Sequence, residues 1–379
     1  MISFAPLLVG LVLVVLVLWE AFETIVLPRR VTRRFRLTRT FYRNTWRVWA
    51  LVARRIHSRK RKESFLSFYG PLSLLALFGV WASFLIFGFA LMHRGLGSAV
   101  YLSGNPSNFH TDLYMSGSSF FTLGLGDVFP NTTRSRVLTV LEAGVGFGFL
   151  ALVIGYLPVL YQSFSRREMN ISLLDARAGS PPTAAELLRR HAGEHGSEEL
   201  RELLAGWERW SAEWMEAAIS YPVLAYFRSQ HDNQSWLAAL TTILDTCALT
   251  IVGIEGTCVR QAQLTFAIAR HAVVDLAQVF SAKPRQSDDR LPAEELERLR
   301  RYLGEEGLHL KEGEHPDRKL ADLRSMYEPY IASLSAFLQL PLPQWIAHET
   351  VIDNWKTSAW GRVAGFTVVP AESRLDDQH

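Results

Sequence analysis

Three long apolar runs dominate the first half of the chain, and charge bounds each of them. From Phe4 to Trp19 no side chain is charged, and Glu20 and Glu23 then interrupt the run, which closes at Leu27. The second run covers 65–92 and the third 137–164. A helix needs about 20 apolar residues to cross the hydrocarbon core of a bilayer. The pattern therefore predicts a transmembrane helix at 1–27, an outer helix at 65–92 and an inner helix at 137–164. The first run lacks a basic leader and a small-residue cleavage site, so it reads as an uncleaved span rather than a signal peptide. After Arg166 the pattern turns amphipathic, and 165–379 reads as a helical soluble domain with a polar linker near 283–291 where it could subdivide. Trp207, Trp210 and Trp214 recur there at helical spacing, as core or interface residues do.

One later stretch imitates a span. Trp236–Ile254 is apolar, yet Thr242, Thr246 and Thr250 form a stripe beside Thr241 and Asp245, which predicts an amphipathic helix buried in the soluble half. Crossing would also carry Arg260, Arg270, Lys283 and Arg285 outside, against the rule that basic loops stay in the cytoplasm.

Composition agrees with a chain that is half membrane and half soluble: 379 residues, 49% hydrophobic, mean hydropathy +0.08. Cys247 and Cys258 match no metal or disulfide spacing and read as reduced thiols. The net charge of +3 matters less than its placement. Between Pro28 and Lys62 the chain holds a dense basic stretch without one acid. Such a loop stays cytoplasmic, which puts the N-terminus outside, the 93–135 region outside and the C-terminal half in the cytoplasm of a multi-pass protein of the plasma or inner membrane. Flanked by spans, the arginines of 29–62 suit anionic lipid headgroups and not nucleic acid. Phe41, Tyr42, Trp46, Trp49, Val52 and Ile56 recur at helical spacing, predicting an interfacial helix with its aromatic side dipping into lipid. Glu20 and Glu23 share a face near the inner end of the first helix, where the arginines can pair with them.

Between the second and third runs, His93 to Asn108 reads as an irregular turret, followed by "HTDLYMSGSSFFTLGLGDVFP". Thr111 can cap a short helix, with Asp112 favoured by the dipole in its first turn, and that helix covers 111–121. It is too short to span. Non-helical backbone at membrane depth survives only when buried in protein or lining water. Gly124 and Gly126 permit backbone angles that aim successive carbonyls one way, and a column of carbonyls can replace a cation's water shell.

Helix, short helix, T-x-G-x-G-D, helix resembles the pore module of the potassium channel superfamily, over about 65–164. The family filter usually reads TVGYGD; here it reads Thr122-Leu123-Gly124-Leu125-Gly126-Asp127, with Pro130 also in register. The resemblance implies an all-α membrane fold and passive flow of monovalent cations, potassium above all, with no cofactor. It implies that Thr122 offers its carbonyl and hydroxyl at the inner ion site, that Leu123, Gly124 and Leu125 offer carbonyls above it, that Gly126 completes the turn and that Asp127 stands at the outer mouth. One pore loop per chain implies a homo-oligomer, and the resemblance says four copies. Leu125 departs from the usual tyrosine, whose hydroxyl braces the filter, so potassium selectivity stays open. A weakly selective cation channel and a non-conducting sensor or scaffold signalling through the helical domain remain the alternatives. In the inner helix Gly144 and Gly148 form a G-x-x-x-G that serves as hinge or packing seam, and Pro158 should kink the helix near its cytoplasmic end, where gating is expected. Glu142, an acid at membrane depth, is placed to bond to the pore helix and support the filter.

The enzyme-like motifs fall short. His191-x-x-Glu194-His195 fits an inverted zinc-protease pattern, but Gly193 and Gly196 weaken the helix that chemistry requires. His271 and Asp275 stand one helical turn apart, a spacing typical of a local hydrogen bond, and the soluble half has no G-x-G-x-x-G. The sequence predicts a channel and not an enzyme.

Overall fold

The computed structural model describes residues 3–27, 36–97, 99–101, 108–193, 195–230, 234–254, 258–286 and 288–347. Arg29, Arg30, Arg33, Arg34 and Glu194 therefore lie outside the described residues, as do Ser98 and 102–107 of the expected turret. The chain divides into two compact units, Met1–His57 with Phe68–Gln162, and Ser58–Ser67 with Ser163–His379.

In the first unit, α1 (Phe4–Ala21) ends in a π-helical turn, Phe22–Val26, and packs along α4 (Tyr69–Leu96). Glycines set the closeness of this seam. A Cβ on Gly10 would stand 2.3 Å from the Gly88 carbonyl oxygen, and one on Gly95 would meet Leu7 at 2.9 Å. The Ser3 amide donates to the Gly95 carbonyl at 2.9 Å, so the two helices run antiparallel.

Between them in sequence, α2 (Leu37–Arg54) sits at the end of α1 and the start of α4. Glu20 accepts from the Thr38 amide and hydroxyl at 3.3 and 3.1 Å, and Glu23 lies 4.0 Å from Arg36. Trp46 is buried edge-on against Tyr69, ring centroids 4.8 Å apart. This corrects the expected aromatic face in lipid. The aromatic side of α2 is committed to protein, because Tyr69 opens the next helix within reach. The apolar side chains left exposed are Val48, Leu51 and Val52.

A short helix α5 (Phe109–Phe120) follows α4, then α6 (Thr133–Ala178). Two three-residue strands, β1 (Ala99–Tyr101) and β2 (Val128–Pro130), pair antiparallel with Val100 opposite Phe129. The cap of α5 is Asn108 and not Thr111. Asn108 Oδ1 accepts from the Thr111 amide at 2.9 Å and Thr111 Oγ1 accepts from the Asn108 amide at 3.3 Å, a reciprocal box that starts the helix earlier than expected. The inner helix also runs on past 164 to Ala178, through Pro158 and into the second unit.

The second unit contains α3 (Arg59–Ser67), the end of α6, α7 (Ala184–Arg190), α8 (Gly196–Ser220), α9 (Trp236–Gly253), α10 (Val259–Val279), α11 (Ala293–Glu305), α12 (Glu314–Ser325) and α13 (Glu328–Leu338). Its centre is α9, packed by α7, α10, α12 and α13. Every residue of α9 is buried, the threonines included, as expected of a buried helix, and its polar stripe faces protein. Thr241, Thr246 and Thr250 hydroxyls donate to carbonyls one turn back, at 2.7, 2.8 and 2.9 Å, and Thr242 donates to the Pro182 carbonyl at 3.1 Å. Threonine satisfies itself on its own helix, which is why polar residues coexist with complete burial. Trp207, Trp210 and Trp214 are buried in α8.

Candidate functional site

The segment between α5 and α6 has neither helix nor strand from Leu123 to Gly126, and a regular alternation runs through its backbone. Thr122, Gly124 and Gly126 have φ of 53°, 63° and 75°, while Leu123 and Leu125 between them do not enter the positive region. Glycine adopts such angles without strain, but threonine does so at a cost of about 1–3 kcal/mol, sustained only where surrounding structure dictates it. Thr122 is held by its position at the end of α5, where its amide donates to Ser119 at 3.1 Å and the Leu123 amide donates to Ser118 at 2.8 Å. Neither glycine has a neighbour within 4 Å of a built Cβ, and the side chains of Leu123 and Leu125 are 60% and 61% exposed in the single chain.

Asp127 closes the segment. Its carboxylate accepts from the Val128 amide at 3.1 Å and faces the hydroxyl of Tyr114 on α5. Leu125 carries no hydroxyl, and Tyr114 supplies a phenol at the Asp127 end of the loop from a position that sequence spacing did not single out.

Behind the loop lies a buried polar trio, one residue from each helix. Glu142 of α6 accepts from the Ser116 hydroxyl of α5 and lies 3.0 Å from Nε2 of His93 on α4. The Ser116 hydroxyl also reaches the Ile86 carbonyl of α4 at 2.7 Å. All three side chains are shut off from solvent. A polar group so placed needs partners, and these partners bind the three helices into one frame. Glu142 was legible in the sequence as an acid at membrane depth, but His93 and Ser116 were not, because they stand 49 and 26 residues away.

The glycines of α6 divide unexpectedly. Gly144 and Gly148 have nothing within 4 Å of a built Cβ, whereas one on Gly146 would fall 2.0 Å from the Phe120 carbonyl oxygen. Within one chain, then, the close approach of α6 to α5 is at Gly146, between the two glycines that the sequence singled out. Pro158 sits inside α6, which remains helical on both sides of it.

Arg167, shortly after the third apolar run, is a buried structural residue. It donates to the Leu224 and Phe227 carbonyls at 2.8 and 2.9 Å, pairs with Glu168 at 2.8 Å and stacks on Phe164 and Trp214. The second unit also has a cleft of about 1090 Å³ lined by Arg177, Arg189, Arg190, Arg201 and Arg209. Glu186 takes Arg189 and Arg190, and Glu198 takes Arg201, so most of these guanidiniums already hold a carboxylate. His271 and Asp275 approach to 3.4 Å as neighbours on the surface of α10. Among the described residues no three His, Cys, Asp or Glu side chains cluster as a metal would require.

Residues 75–162 match the family model described as Ion channel, which takes in most of α4, all of α5, the glycine loop and α6 as far as Gln162. Searches of curated proteins and of solved structures found no match. The chain is an all-α, multi-pass membrane protein that carries an ion channel domain.

Proposed function

We propose that four copies surround one axis and form a passive, potassium-conducting channel in the plasma or inner membrane, a reading that the ion channel match over residues 75–162 supports. Cations pass along the carbonyls of Thr122, Leu123, Gly124 and Leu125, with Gly126 and Asp127 at the outer mouth. The observation that carries this reading is the alternation of positive φ at Thr122, Gly124 and Gly126. Alternating backbone of this kind lets successive carbonyls line one channel and replace a hydration shell. Glu142, through Ser116, supports the frame behind the filter. Gating acts along α6, at Gly144, Gly148 and Pro158. The N-terminus faces outward, the second unit lies in the cytoplasm, and α2 rests on the inner leaflet. There Arg39, Arg43, Arg47 and Arg54 form one stripe of exposed helix beside Val48 and Leu51, a combination suited to anionic headgroups.

Leu125 favours a second reading, a cation channel of weak selectivity, because its exposed side chain has no hydroxyl with which to brace the filter. The test is flux from purified protein in liposomes under a potassium gradient and then a sodium gradient. Potassium flux well above sodium flux, abolished by Gly124→Ala, is the expected outcome. Equal fluxes would establish the weakly selective channel. Absence of flux in either gradient, with wild type and Gly124→Ala alike, would leave a non-conducting sensor and sink the channel.

A further inference from the structure

The chain passes between the units three times, at both ends of Ser58–Ser67 and once within α6, and one short segment of the second unit holds both α3 and the end of α6. The first connection is α3, which ends one residue before α4 begins, with only Phe68 between them. The second is α6, which continues unbroken from the channel domain to Ala178. In the second unit, the 3₁₀ turn Pro222–Tyr226 and the residues after it meet both connections. Arg167 of α6 bonds to the Leu224 and Phe227 carbonyls, and Glu168 accepts from the Ser229 hydroxyl at 3.2 Å. Arg228, the next residue, turns to α3 and pairs with Glu63 at 3.4 Å, while donating to the Leu338 and Gln339 carbonyls at 2.6 and 3.1 Å. Leu66 of α3, three residues after Glu63, is fully buried.

We infer that segment 224–229 is a junction that positions the two connections to the pore together, and that the Glu63–Arg228 pair is the clasp setting how far the inner helix can move on gating. The inference rests on the channel reading above. Its physical content is an asymmetry between the two grips. Arg167 holds α6 through backbone carbonyls, stacking and a neighbour on its own helix. The charge contact between Arg228 and α3 runs through one carboxylate, Glu63, the sole acid in an otherwise basic helix, RKRKESFLS. The Arg228 and Glu63 side chains are only 8% and 19% exposed. A buried guanidinium that loses its carboxylate is left with an uncompensated charge, so the junction cannot stay as it is once Glu63 is neutralised. Glu63 and Arg228 are thus positioning residues for the pore and do not touch the ion.

The experiment is single-channel recording of the full chain in planar bilayers, with hydrogen exchange measured on the same preparations. Glu63→Gln is expected to shift the ratio of open to closed time at least tenfold with unitary conductance unchanged. Glu63→Asp, which keeps the charge, should stay within about threefold of wild type. Glu198→Gln breaks an exposed pair in the same unit, with Arg201, and should change nothing. The amides of 60–67 should lose protection at least tenfold in Glu63→Gln. Protection of 60–67 that is the same in wild type and Glu63→Gln would overturn the clasp whatever the currents show. An open-to-closed ratio matching that of Glu198→Gln, or an altered unitary conductance, would overturn its role in gating. A wild-type chain that carries no current would overturn the channel reading instead, and the exchange data would still decide whether the clasp exists.

Discussion

Two helices of this protein have nearly the same claim to a membrane and opposite surroundings. The channel-domain helix α6 reaches a mean hydropathy of 2.2 over its most apolar window, and α9 reaches 1.6. Only 17% of the α6 window is buried within the chain, against 94% of the α9 window. Hydropathy registers that a helix avoids water. It does not register whether lipid, another copy or the protein's own core takes water's place. The polar residues of each helix do. In α6, Glu142 finds partners on two neighbouring helices, and the opposite face, with Val140 and Phe147, is bare. In α9, Asp245 is held by Arg290 at 2.6 Å and by the Tyr327 hydroxyl, and burial together with Asp245 pushes the Tyr327 phenol well up. Arg290 in turn reaches Glu328 at 3.3 Å and lies over Trp345. Such a network exists only in a helix surrounded by its own chain.

The comparison breaks most visibly at Asp245. Asp245→Leu makes α9 more apolar, which would be neutral or favourable for a helix facing lipid. In a core it strips Arg290 of its best partner and leaves the Tyr327 hydroxyl without an acceptor. Losing one side of a buried pair costs about 3–5 kcal/mol. Melting followed by tryptophan fluorescence, with Trp207, Trp210 and Trp214 as reporters, should therefore show the second unit unfolding far earlier. A melting temperature equal to or above that of the wild type would mean that α9 has lipid-like surroundings after all.

Next in size is a substitution that separates the glycines of α6. Gly146→Ala introduces a methyl where the Phe120 carbonyl already stands, and overpacking of this kind costs about 1–3 kcal/mol. Gly144→Ala has open space in the single chain. Gly146→Ala should lower the thermal stability of the membrane unit and abolish flux. Gly144→Ala should keep the stability of the isolated chain and change only what depends on the neighbouring copy. Equal losses from the two would place the tight approach at the oligomer interface rather than between α5 and α6.

These contrasts also mark what the sequence could disclose. The apolar runs and the glycine loop were legible because hydropathy and T-x-G-x-G-D are local patterns, each complete within a few turns of chain. Glu142 stood out because an acid inside a span is conspicuous by itself. Its partners did not, since nothing local distinguishes His93 at a helix end or Ser116 among the small residues of α5. Gly146 was hidden by its neighbours: Gly144 and Gly148 fit a known packing spacing, and only the position of Phe120 shows which glycine is used. Thr122 was expected to lend carbonyl and hydroxyl, but its positive φ came from the end of α5 and not from any propensity of threonine. Likewise α3 looked like a continuation of the basic loop, and its partner Arg228 in the second unit lies more than 160 residues further on.

The smallest expected effect sharpens the comparison at a helix packed on α9. Glu186 lies on α7, which packs against α9. Burial pushes its carboxyl up, but hydrogen bonds from Arg189, Arg190 and Tyr302 outweigh that and hold it at about 2, against 4.5 for an unperturbed glutamate. A carboxyl whose pKa is depressed on folding contributes stability that is complete above the unfolded value and is lost as the pH falls through the folded one. The second unit should therefore lose stability between 4.5 and about 2 as Glu186 takes up a proton. Glu186→Gln should flatten the part of the pH profile that belongs to this residue. At neutral pH it should lower the melting temperature by about 2–4 °C, equivalent to about 1 kcal/mol in a unit of this size, a modest loss because Arg189 remains partly solvated. A profile in Glu186→Gln as steep as that of the wild type over this window would assign the acid sensitivity to other carboxylates. The cluster of arginines on α7 would then be a solvated surface rather than part of what holds α7 on α9.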